Sequence, residues 1–267
     1  SASEDGTVKI WDTARGRSVV TLDNHFGAAN ACALTRDGRR VISAAEDGRI
    51  RIWSLASGRW LATLEGHVER VFACAVTVDD QRIVTGSEDR TLKVWDVRRG
   101  RMLFALRGHE AAVTACAVAA DGRRVISAST DGTLRIWDLK NARLLSTLKG
   151  HTSDVNACAV ISDGQRVVSA SVDRTLKVWD LASGRVLATL EGHVDAVTTC
   201  AVTPDGRYIV SGSGDRTVKI WDVNTYDCLI THRGDVAYAA LAVTTNVIIA
   251  GDVSGAVWML DWPPTLR

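Results

Sequence analysis

The chain has 267 residues, 46% of them hydrophobic, and carries 32 Lys and Arg against 31 Asp and Glu for a net charge of +1. That length is enough to bury a substantial core, and the near-neutral balance gives no global pull toward nucleic acid or anionic lipid. Its apolar runs are short, of the type RVVSAS or LATL, so nothing approaches the roughly 20 residues of a membrane-spanning helix.

Taken in order, the chain opens on SASEDG, which reads as half a strand and a turn, followed by the alternating strand TVKIWD. The pattern then becomes regular. In the unit that starts at Gly66, the segments VFACAVT, RIVTGS, TLKVWDV and MLFALRG are separated by the turns VDDQ, EDRT and RRGR. Alternation between turn residues predicts four short antiparallel strands, a to d.

The unit recurs with a strict period. Trp11, Trp53, Trp95, Trp137, Trp179 and Trp221 differ by 42 in residue number, and His25, His67, His109, His151 and His193 each precede the next Trp by 28. A lone four-stranded sheet cannot bury both of its faces, whereas sheets stacked radially cover one another. At the end, AVWMLDW reads as a seventh strand c, with Leu260 rather than Trp258 at the tryptophan position and Ser254 at the turn aspartate. Gly234-Asp235, or His232 out of register, stands where Gly-His is expected, and Pro263-Pro264 cannot continue a regular strand. These patterns predict an all-β, seven-bladed propeller of four-stranded antiparallel blades, with incomplete first and last blades. The chain is expected to form a single domain over residues 1–267, the C-terminal part of a longer protein.

Each complete unit also repeats a polar set: His25/Ser43/Asp47/Trp53, His67/Thr85/Asp89/Trp95, His109/Ser127/Asp131/Trp137, His151/Ser169/Asp173/Trp179 and His193/Ser211/Asp215/Trp221. Ser, His and Asp are the components of a hydrolytic triad, but a nucleophile needs an exposed hydroxyl beside an oxyanion site. The donor order favours a closed chain instead. Indole N–H only donates, a hydroxyl accepts and donates, neutral imidazole does both, and a carboxylate only accepts. No Walker A segment, no GxGxxG after a strand, no HExxH and no EF-hand loop occurs, so no catalytic residue, cofactor or metal is expected. Cys32, Cys74, Cys116, Cys158 and Cys200 share one repeat position without paired CxxC spacing. They read as small buried hydrophobes rather than disulfides or metal ligands, and as reduced thiols they point to a cytoplasmic setting.

A Gly-His pair followed 28 residues later by Trp, and then by Asp in five of six cases, resembles the WD40 repeat family over essentially the whole chain. The near-identity of the units is similar to bacterial WD40 arrays. This resemblance implies that the polar sets are structural tetrads. It also implies a protein-interaction scaffold, or a sensor or autoinhibitory module of a larger multidomain signalling protein. The expected partner is another protein or another domain of the same polypeptide, bound through the propeller face, with no membrane involved. A propeller that binds a small ligand or nucleic acid is the alternative, and an enzyme is not expected. The units differ just after Gly-His and just before the turn Asp, which makes Arg70, Phe72, Glu88, Thr114, Asn156 and Thr198 the candidate partner contacts.

Overall fold

The computed structural model describes residues 1–244 and 247–262; Pro263-Pro264 lies outside them. The described residues contain strands and turns throughout. The first sheet pairs β1 (Thr7–Asp12) with β2 (Arg17–Asp23), and Ala2 bridges to Val8. Next come β3 (Ala29–Leu34), β4 (Arg40–Ala45), β5 (Ile50–Ser54) and β6 (Trp60–Leu64), hydrogen-bonded in that order. The third sheet holds β7 (Val71–Val76), β8 (Arg82–Ser87), β9 (Thr91–Asp96) and β10 (Arg101–Arg107).

The same meander continues through β11 (Val113–Val118), β12 (Arg124–Ser129), β13 (Thr133–Asp138) and β14 (Arg143–Lys149). Two more sheets follow: β15 (Val155–Val160), β16 (Arg166–Ser171), β17 (Leu176–Asp180) and β18 (Val186–Leu190), then β19 (Val197–Val202), β20 (Tyr208–Ser213), β21 (Thr217–Asp222) and β22 (Cys228–Arg233). The last sheet has three strands, β23 (Tyr238–Val243), β24 (Val247–Asp252) and β25 (Val257–Asp261).

Six sheets carry a tryptophan strand paired with a following outer strand, and these are the six blades; the expectation of seven is corrected. In the remaining sheet β25 pairs with β24, and Leu260 stands opposite Ile248 as Trp221 stands opposite Ile209. Leu260 therefore occupies the tryptophan position, as the sequence indicates. It has no indole N–H to donate, and no outer strand follows it among the described residues.

By compactness the chain divides into two units, Ser1–Asp131 with Arg135–Ser146, and Gly132–Leu134 with Thr147–Arg267. In the first unit Val84, Leu92, Val94, Leu106, Val113, Val125, Trp137 and Leu139 form one buried cluster. Val94 and Leu92 come from one blade and Val113 and Val125 from the next, so each blade covers its neighbour's face. The second unit repeats the arrangement with Val168, Leu176, Val178, Val197, Ile209 and Trp221. Alternating residues on each strand supply this face, because successive side chains of a strand point to opposite sides of its sheet.

The turns before the tryptophan strands need a left-handed residue. Gly48 supplies it at φ 73°, while Arg90, Arg174 and Arg216 take the same position at φ 65°, 70° and 67°. A non-glycine residue held there carries backbone strain, which the hydrogen bonds to the adjacent turn aspartate offset.

Candidate functional site

The polar sets assemble as hydrogen-bonded chains. In the third sheet the Trp95 indole on β9 donates to Thr85 Oγ1 on β8 at 2.9 Å, and the Thr85 hydroxyl meets His67 Nε2 at 2.8 Å. His67 Nδ1 lies 2.7 Å from Asp89 Oδ2 in the β8–β9 turn. A carboxylate can only accept, so Nδ1 carries the hydrogen and Nε2 accepts from the hydroxyl. Trp137, Ser127, His109 and Asp131 repeat this at 2.8, 2.7 and 2.7 Å. Trp179, Ser169, His151 and Asp173 do so at 2.8, 2.7 and 2.7 Å, and Trp221, Ser211, His193 and Asp215 at 2.9, 2.8 and 2.8 Å.

Ser43, Thr85, Ser127, Ser169 and Ser211 are all fully buried. A hydroxyl enclosed between an indole donor and an imidazole presents nothing to a substrate. Burial pushes the Asp173 and Asp215 carboxyls up, but hydrogen bonds from Thr175 or Thr217 and from the histidine outweigh it and hold both down at about 2. Burial also depresses His67, His151 and His193 below the usual imidazole value, against the opposing pull of their aspartates. The imidazoles are thus neutral, as the hydrogen-bond order requires.

The set on β4 and β5 departs from the others. Trp53 donates to Ser43 at 2.8 Å and Ser43 meets His25 Nε2 at 2.6 Å, but His25 Nδ1 is 3.6 Å from Asp47. The Arg51 guanidinium sits between them, against His25 Nδ1 and 2.8 Å from Asp47 Oδ2. Burial and then the Arg51 charge bring His25 down to about 4.

Arg51 belongs to a position that the sequence reading passed over. Two residues before each repeat tryptophan stands a cation: Lys9, Arg51, Lys93, Arg135, Lys177 and Lys219. Lys93 donates to Asp89 Oδ2 at 3.1 Å and to the Gly66 carbonyl at 2.8 Å, which makes it a fifth member of its set. Lys177 and Lys219 reach instead to Thr189 and Thr231 at 2.9 Å. The periodicity of the charge was the available signal.

The candidate partner contacts divide. Arg70 is exposed and lies 3.4 Å from Glu46 and 3.7 Å from Glu88. Phe72, Glu88, Thr114, Asn156 and Thr198 are half-buried. Asn156 donates to the Val197 carbonyl at 2.9 Å, and Thr198 to the carbonyls of Gly212 and Tyr238 at 3.0 and 2.5 Å. Those two side chains tie one sheet to the next. In the turns after β9, β11 and β15, Arg99, Arg124 and Arg166 pair with Asp96, Asp121 and Asp163 at 3.1, 2.7 and 2.6 Å.

Burial pushes the Cys158 thiol up to about 12 and raises Cys74 and Cys200 as well, so these sulfurs stay protonated and unreactive. Cys74 and Cys200 direct Sγ at the Ile42 and Val168 carbonyls of the preceding sheet.

The WD domain, G-beta repeat family matches residues 1–12, 16–54, 58–96, 100–138, 142–180 and 184–222. The chain belongs to the WD40 family. WD40 propellers are generally non-enzymatic scaffolds and typically bind proteins. No curated protein matches this WD40 chain. The sheet of β23–β25 lies outside all six matched segments.

That WD40-free sheet replaces the tetrad with a different network. The Trp258 indole donates to Asp252 Oδ2 at 2.6 Å, and Ser254 donates to Asp252 Oδ1 at 2.6 Å. All three residues belong to β24, β25 or the turn between them, so no side chain of this network reaches the loop before β23; only the Val253 amide does, donating to the Ala237 carbonyl at 3.0 Å. The amides of β23–β25 are therefore expected to exchange with deuterium faster than those of β15–β17, whose tetrad ties turn, strand and loop together. Equal protection in the two sheets would show that the tetrad contributes little to local stability.

Proposed function

We propose that this WD40 chain is a protein-interaction scaffold, a sensing or autoinhibitory module of a larger cytoplasmic signalling protein, whose tetrads are structural. The observation that carries this reading is the burial of all five tetrad hydroxyls between an indole and an imidazole, while residues around them vary from repeat to repeat. A frame held constant with a changing surface suits recognition, and it lacks the exposed nucleophile that hydrolysis requires. The six cysteines carry no disulfide, and although Cys32 is exposed where burial was expected and Cys228 is exposed too, free thiols are consistent with a cytoplasmic setting.

Partner contact is assigned to the loops between outer and inner strands. Arg70 is the leading contact, because an exposed arginine held only by solvent-accessible pairs with two glutamates gives them up at little cost. Phe72, Glu88 and Thr114 contribute the flanking surface, and Asn156 and Thr198 contribute only what their structural bonds leave free. Affinity capture with the wild-type chain and with Arg70→Ala tests this. Loss of a captured protein in the variant, with an unchanged unfolding midpoint, is the expected outcome. Equal capture by both would remove Arg70 and its neighbours from the interface.

A further inference from the structure

The tryptophan strands serve as one another's reference, and β25 departs from them where they agree on charge. Lys9, Arg51, Lys93, Arg135, Lys177 and Lys219 each stand two residues before the tryptophan. In β25 that place belongs to Trp258, two residues before Leu260 and opposite Ala250 as Lys219 is opposite Ser211. The third sheet shows what such a cation can do: Lys93 Nζ donates to Asp89 and to the Gly66 carbonyl of the preceding loop. In the last sheet the cation is lost while carboxylates are gained. Asp252 stands opposite Tyr238 on β23, where Ser213 stands opposite Val197 on β19, and Asp235 lies in the loop before β23.

Tyr238, Asp235, Asp252 and Trp258 line one pocket of about 150 Å³, with His232 and Arg233 at the end of β22. Asp252 is held by neutral donors alone, the Ser254 and Ala256 amides, the Ser254 hydroxyl and the Trp258 indole. Burial pushes its carboxyl up, but those hydrogen bonds outweigh it and keep the group ionised, below the ordinary carboxylate value. Arg233, the permanent cation of the lining, is exposed and pairs with neither aspartate. Tyr238 is 3% exposed, and its hydroxyl has no hydrogen-bond partner among the described residues. That hydroxyl lies against Gly234, another lining residue, where a Cβ would collide with it. Burial, and then the charges of Asp252 and Asp235, raise the phenol above its usual value, which places both carboxylates within electrostatic reach of the oxygen. A buried polar group without a partner costs stability, and this one borders the pocket.

We propose that this pocket takes the ammonium group of a lysine side chain presented by the protein partner. The Trp258 ring, 48% exposed and fixed at its N–H by Asp252, supplies an aromatic face for the cation. The Tyr238 oxygen and the Asp235 carboxylate accept its N–H groups, and Asp252 adds negative charge without giving up its own bonds. Lys93 shows the same pairing of ammonium with turn carboxylate from inside the chain; here the lysine comes from outside. The volume is below the roughly 300–1,000 Å³ of a pocket for a drug-sized ligand, so it suits a single side chain. The site rests on the protein-binding reading above but uses none of the residues around Arg70.

Titration of the isotope-labelled full chain with N-acetyl-lysine methylamide, followed by NMR at the Trp258 indole and at the Val236 and Ser254 amides, tests the assignment. A saturable shift is expected, with binding at least about tenfold weaker for the uncharged norleucine analogue. Trp258→Lys, which restores an internal cation, is expected to abolish the shifts of the two amides. Asp235→Asn and Tyr238→Phe, which alter an exposed loop charge and one hydroxyl, should each weaken binding about threefold, while Arg70→Ala leaves it unchanged. Equal response to the lysine and norleucine derivatives, no response at these groups, or full binding by Trp258→Lys would overturn the site and leave the capture experiment with Arg70→Ala to decide the protein-binding reading separately. Tighter binding of the arginine derivative would refute an ammonium ligand, and tighter binding of the glutamate derivative would show that Arg233 governs the pocket and refute a cationic one.

Discussion

Replacing Trp137 by alanine is expected to lower the unfolding free energy by about 3–5 kcal/mol, read as a shift of the urea midpoint. Trp137 is 2% exposed and packs with Val84, Leu92, Val94, Leu106, Val113 and Val125, so its loss opens a cavity between two blades. The same change takes away the donor to Ser127, which is fully buried. His109→Ala removes the partner on the other side of that hydroxyl and leaves Asp131 without its imidazole, at a cost of about 1–3 kcal/mol. Because both variants strip the same Ser127 oxygen, their effects should be non-additive in the double variant. Simple additivity would mean that the chain does not act as a unit. An unchanged midpoint for His109→Ala, joined to loss of a specific activity, would revive the catalytic reading of the tetrads.

The four-strand unit was legible because two independent periods agree: alternation within strands, and a fixed interval between tryptophans. Donor and acceptor chemistry narrowed the order of Trp95, Thr85, His67 and Asp89 without making it unique, since an indole can also donate directly to a carboxylate, as Trp258 does to Asp252. Blade count was less legible. AVWMLDW is indeed a strand at the expected register, but Leu260 there cannot donate and β25 has no outer partner among the described residues, so pattern alone overcounted. Phe72, a candidate contact because its position varies between repeats, is half-buried by its place on β7. Arg51 was missed because no role was assigned to the cation two residues before each tryptophan. The burial of Arg51 and Lys93 depends on the loop that carries His25 or His67, whose position no strand pattern encodes.

Acid should destabilise this chain in two stages, the first beginning well above the usual carboxylate range. His25 is held at about 4 against an ordinary 6.5, and His67, His151 and His193 are shifted the same way. A histidine depressed on folding contributes its full stability above 6.5, where both states are neutral. As pH falls below 6.5 the unfolded chain binds protons that the folded chain refuses, and stability drops until the folded group titrates. For His25 alone the loss between pH 6.5 and about 4 is on the order of 2 kcal/mol, after a discount for screening by nearby water. The second stage comes from Asp173 and Asp215, which lie at about 2 instead of 3.8; their contribution is present above 3.8 and is lost as pH falls toward about 2. Urea midpoints measured across this range should decline from 6.5 downward. Arg51→Lys, which restores the residue found in three of the other four tetrads, should flatten the first stage by letting His25 Nδ1 approach Asp47. A midpoint constant from pH 6.5 to about 4 in the wild-type chain would mean that these four histidines are not held neutral by the fold, and the hydroxyl-to-imidazole direction of the His67, His151 and His193 sets would have to be reversed; in the His25 set Arg51 can only donate to Nδ1, so Nε2 already donates to Ser43.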